Sequence, residues 1–121
     1  MGRHTSQTHI YPQVLKLVRF RREAPGLEPL AQGVHLQTRL VSLLPGQVFP
    51  SPPLAGELVF FVLRGQGQLE LKGTEHALGP GSMAFIPNRC PCKIQAATKM
   101  VILQIIGLPH ALDTPTSGYP V

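Results

Sequence analysis

A chain of 121 residues, 43% of them hydrophobic, is long enough to bury one core as one domain. No apolar run approaches the ~18 residues of a membrane span, and the polar start MGRHTSQTH lacks the hydrophobic stretch of a secretory signal. Two cysteines one residue apart cannot staple a fold, so a reducing, cytoplasmic setting is expected.

Residues 1–12 read as a polar lead containing His4 and His9. Residues 13–20 (QVLKLVRF) alternate with a period of two and are expected to form the first strand, followed by a turn-rich connection around Pro25, Gly26 and Pro29. The net charge is +5, and Lys16, Arg19, Arg21 and Arg22 concentrate here. Such a cluster can contact phosphates, but no stacking aromatics are interleaved with it. It reads better as the solvated charge that protects an edge strand.

From Val34 to Leu44 a long strand is expected, with Val34, Leu36, Leu40 and Leu44 of one parity and His35, Gln37 and Arg39 of the other. Pro45-Gly46 turns the chain, and Pro50, Pro52 and Pro53 exclude regular pairing over PSPP. LVFFVLR (58–64) is apolar on both faces and is expected to be a buried central strand. Short strands follow over QLELK, EHAL, Ser82 to Ile86, Lys93 to Ala97 and Lys99 to Ile106, separated by Gly/Pro turns. Residues 13–107 thus form one barrel or sandwich, and 108–121 a Pro-rich tail.

Two spaced motifs sharpen this all-β reading. Gly46 and Gly65 stand at the ends of a G-x5-H-x-H-x3-E-x6-G frame, and Gly81 and Pro87 fit G-x5-P-x-G-x2-H-x3-N. Together they cover about 50 residues and resemble the two-motif heart of the cupin family, here a small single-domain conserved-barrel member. The resemblance implies a jelly roll, or double-stranded β-helix, with its pocket inside the barrel. It also implies pairing into a homodimer through first strands and sheet edges.

In metal-binding cupins two His, one Glu and a last His converge on one divalent ion. Those positions hold Pro52, Leu54, Leu58 and Cys92 here. Proline and leucine offer no side-chain lone pair, and one thiol does not hold a metal against water and cellular chelators. Neither a metal nor another cofactor is therefore expected. Glu57 lies one residue from the glutamate position, which turns it to the opposite face of a strand. His35 and His76, with Cys92, are the fallback ligands. Cys90 and Cys92 share parity, and with Met83 or Met100 they offer soft sulfur for Cu(I), although buried cysteine more often acts as a small hydrophobe. A nucleophilic Cys92 would need a cation such as Arg89 or Lys93 to lower its pKa, and no Cys–His–acid arrangement is visible.

No residue is assigned a catalytic role. The expected pocket lining is Pro52, Leu54, Leu58, Phe60, Val62, Met83, Phe85 and Cys92, with Arg39 as a cationic group on the wall. The sequence points to a metal-free module that binds a small apolar ligand or acts as a scaffold, rather than to an enzyme. A metal-dependent dioxygenase or isomerase with substitute ligands, and a basic module for acidic partners, are the alternatives. Nucleic acid and membrane are not expected partners.

Overall fold

The computed structural model describes residues 7–53 and 56–108. Its first regular element is a 3-10 turn, Val14–Leu17. Nine strands follow among the described residues: β1 (Gly26–Gln32), β2 (Leu36–Leu43), β3 (Val48–Ser51), β4 (Leu58–Arg64), β5 (Gly67–Leu71), β6 (Thr74–Leu78), β7 (Met83–Ile86), β8 (Cys92–Ala96) and β9 (Met100–Gly107). They pair into two sheets, ordered β1-β2-β9-β4-β7 and β3-β8-β5-β6. Every pairing is antiparallel. The expected all-β jelly roll is what the chain forms.

Alternation along the strands builds the core. Leu58, Phe60 and Val62 of β4 point inward, as do Val41 and Leu43 of β2 and Ile102 of β9. Phe49, Ile94 and Leu69 meet them from the second sheet. Close packing of such branched and aromatic side chains is the main stabilising contribution in a barrel of this size. Only this face of β4 is fully buried. Phe61, on the other face, remains 37% exposed, so the expectation of burial on both faces is corrected.

Two local expectations fail for one shared reason. The segment around Pro29 is strand β1 rather than a turn-rich connection, and PSPP contributes Pro50 to β3. Both β1 and β3 are sheet edges. A proline there needs to donate no hydrogen bond on its outer side. In β1 the register also shifts between Pro29 and Ala31, a bulge that absorbs the irregularity.

The expected strand over 13–20 is likewise replaced, by the 3-10 turn and an extended stretch after it. Val14, Leu15, Val18 and Phe20 pack on Leu30, Leu40 and Val101 of the first sheet, on the face turned away from the core. The segment covers that sheet face instead of joining an edge, so its apolar residues follow no single parity. Tyr11 is tied down as well, its hydroxyl donating to the Leu30 carbonyl. The Ser42 hydroxyl lies buried without a hydrogen-bond partner among the described residues.

The motif frame is visible in the backbone. Gly46, Gly65 and Gly81 have φ of 87°, 87° and 88°. Arg89, at the position where the second motif carries glycine, holds the same left-handed conformation with φ 61°.

Candidate functional site

The inner face of the first sheet is read in rows across its strands. Arg39 on β2 pairs with Gln104 on β9, which pairs with Phe60 on β4, so these three side chains share one row. The next row holds Gln37, Ile106 and Leu58. On the facing sheet Phe49 pairs with Ile94, and Ser51 pairs with Cys92, again in consecutive rows.

Contacts join the two sheets at this end of the barrel. Arg39 Nε donates to Gln104 Oε1 at 2.5 Å. The guanidinium carbon lies 5.9 Å from the centroid of the Phe49 ring, which meets Phe60 edge-on with centroids 6.3 Å apart. Arg39 is half-buried, and desolvation lowers its pKa, yet an arginine stays charged at any physiological pH. Among the described residues no carboxylate lies within ion-pair distance of it. The ion pairs there are Arg19–Glu28 at 3.8 Å and Lys93–Glu70 at 3.3 Å.

A cavity of about 560 Å³ opens beside the Ser51–Cys92 row, lined by Pro50, Ser51, Pro52, Glu70, Lys72, Pro91, Cys92 and Lys93. Burial pushes the Cys92 thiol up, the neighbouring Cys90 adds to this, and a hydrogen bond from Ser51 pulls the other way. Lys93, one of the cations considered for activating it, pairs instead with Glu70. Cys92 is therefore held as a neutral thiol and is no activated nucleophile.

A pH dependence follows. A group whose neutral form is favoured by folding contributes its stabilisation in full below the unfolded thiol pKa of about 8.5 and loses it as pH rises through the raised folded value. Urea midpoints measured between about pH 7 and about pH 10 are expected to fall further for the unaltered protein than for Cys92→Ala. Equal slopes would show that Cys92 ionises as freely folded as unfolded.

Some of the expected lining residues assemble here and others do not. Pro52 and Cys92 line the cavity. Arg39 is not among the residues lining that cavity; it lies on the inner face of the first sheet, in the row of Gln104 and Phe60. Leu58, Phe60 and Val62 are core residues, 3%, 1% and 1% exposed, because they interdigitate with the facing sheet. Met83 and Phe85 pair with Phe61 and Val59 on the outer face of β4 and are 62% and 53% exposed. One residue of register separates them from the inward Ala84 and Ile86. They border a side groove of about 390 Å³ between β6 and β7, which His76 also lines. Leu54 lies outside the described residues.

Three residues of the site were not anticipated from sequence: Gln104, Phe49 and Ser51. Gln104 carried a readable signal, as the lone polar residue within the apolar run MVILQII. Phe49 and Ser51 were hidden by the prolines between and after them.

The residues present do not fit a divalent ion of the cupin kind. Leu58 fills core, Pro52 brings no donor, and among the described residues no three His, Cys, Asp or Glu side chains form a metal-binding group. The fallback set His35, His76 and Cys92 is thus not brought together. The His35 carbonyl accepts from the Leu108 amide at the β1–β2 loop, and His76 sits on β6, a sheet edge. The basic residues Lys16, Arg19, Arg21 and Arg22 lie on the N-terminal cover rather than on an edge strand. No helix among the described residues is long and apolar enough to cross a membrane.

Comparison with known proteins agrees with this fold. A family model described as AraC-like ligand binding domain matches residues 31–115. No curated protein matches the sequence. A structure from Thermus thermophilus superposes with a TM-score of 0.76 at 24% identity, covering 83% of this chain and 97% of its own. A cupin superfamily protein from Desulfitobacterium hafniense gives 0.76 at 19% identity, covering 89% and 100%. Salicylate 1,2-dioxygenase from Pseudoaminobacter salicylatoxidans gives 0.65 at 20% identity, covering 69% of this chain and 26% of that enzyme. At these identities the likeness is one of fold.

Proposed function

The chain belongs to the AraC-like ligand binding domain family, built on a cupin-type barrel, and from that premise we propose that it is a small-molecule-binding module working without a bound metal. The observation that carries this reading is the fate of the four ligand positions. Pro52 and Cys92 line an open cavity, Leu58 is packed into the core, and Leu54 brings no donor atom. A cavity that stays open and, among the described residues, brings no three metal-donor side chains together is suited to binding a ligand rather than to activating oxygen or water.

A ligand found by thermal-shift screening is expected to raise the melting temperature by about 10 °C at a hundred times its Kd. The shift should be the same with and without EDTA. Loss of the shift on chelation would restore the metal-dependent alternative.

The same reading includes a homodimer. Phe61, Met83 and Phe85 form an exposed apolar strip on the outer face of the first sheet, beyond the N-terminal cover. Light scattering is expected to give the mass of two chains, and Met83→Lys with Phe85→Lys that of one. A monomeric unaltered protein would contradict it.

A further inference from the structure

Arg39 stands out among the interior groups. It sits on the inner face of the first sheet, half-buried, in the row of Gln104 and Phe60. A charge taken out of water without a counter-ion is costly, and structures retain one where something pairs with it. Here no carboxylate among the described residues does so.

The guanidinium is nonetheless held in place. Its Nε is occupied by Gln104 Oε1 at 2.5 Å, and the nearby Phe49 ring restricts it from one side. Gln104 is 1% exposed and therefore cannot move away to follow a drifting partner. Among the described residues the Nη groups have no hydrogen-bond acceptor. A fixed guanidinium with its Nη groups available is the arrangement that grips a planar oxyanion with two parallel hydrogen bonds.

We propose that the barrel mouth recognises the carboxylate of a small organic acid through Arg39, with Gln104 orienting the guanidinium and Phe49 contacting the acid's apolar body. This rests on the small-molecule reading above and names the ligand's chemical class. One guanidinium balances one carboxylate charge, whereas a phosphate monoester carries nearly two. Ser51 and Cys92, in the row next to Phe49, present a hydroxyl and a thiol for a second polar group on the ligand.

The test is isothermal titration of the full chain with benzoate and hexanoate, and with benzamide and hexanamide as uncharged counterparts. The acids are expected to bind one per chain, about 10- to 100-fold more tightly than the amides. Arg39→Gln is expected to abolish that preference, bringing acid binding down to the level of the amides measured on the same variant. Arg39→Lys, which keeps the charge but not the paired donors, should recover only part of it. Equal binding of acids and amides, or an acid preference that survives Arg39→Gln, would overturn the inference and leave the small-molecule reading standing. Should neither class bind the unaltered protein, the inference falls together with that reading. If Arg39→Gln does not fold, the acid-to-amide ratio of the unaltered protein and of Arg39→Lys still decides.

Discussion

Phe60→Ala is expected to lower the free energy of unfolding by about 3–5 kcal/mol. The ring is 1% exposed at the centre of the first sheet's inner face. It lies in the row of Arg39 and Gln104 and receives Phe49 edge-on from the facing sheet, so the barrel cannot collapse from one side to refill the space. The edge contact with Phe49 accounts for about 0.5–1.5 kcal/mol of the loss, the cavity and lost burial for most of the rest. A domain of this kind is stable by only about 5–15 kcal/mol, so the variant sits near the margin. Urea denaturation followed by fluorescence or circular dichroism reads the effect. A loss below about 1 kcal/mol would mean that Phe60 does not span the two sheets.

The second large effect is expected at Gly65. Its φ of 87° lies in the left-handed region, where an L side chain costs about 1–2 kcal/mol. A Cβ there would also overlap the backbone carbonyl oxygen of Lys99 and lie 2.8 Å from Met100 Cα, where β9 begins. Neither is a flexible group that can step aside. Gly81 shares the conformation, with φ of 88°, but a Cβ there meets nothing within 4 Å. Gly65→Ala is therefore expected to cost at least about 3 kcal/mol or to prevent folding, and Gly81→Ala about 1–2 kcal/mol. Similar losses at both sites would show that conformation alone, and not the approach of β9, selects glycine at position 65.

Much of the architecture was legible because the motif glycines and strand alternation report on backbone geometry directly. LVFFVLR and KMVILQII became β4 and β9 almost residue for residue. The misread pieces were edge strands and a sheet cover. Pro29 and Pro50 look like strand breakers until it is known that β1 and β3 are edges, which only the finished topology decides. The segment 13–20 alternates like a strand, yet lies flat on Leu30, Leu40 and Val101, a choice between edge pairing and face packing that local pattern does not encode.

The candidate site was legible in part. The motif spacing singled out Pro52 and Cys92, which both line the cavity, whereas Arg39, expected on its wall, is not among the lining residues. Spacing could not separate the inward Ala84 and Ile86 from the outward Met83 and Phe85, since all of MAFI is apolar and parity alone carries no sign. Nor could it show that Leu58, Phe60 and Val62 meet a facing sheet closely enough to become core rather than pocket wall.

Elemental analysis of untagged protein purified without added metal decides whether the barrel works without a metal ion. With Leu58 in the core, Pro52 lining the cavity and no cluster of three ligating side chains among the described residues, transition metal is expected far below one ion per chain. A content near one ion of iron, manganese, nickel, copper or zinc per chain, retained through dialysis, would contradict it.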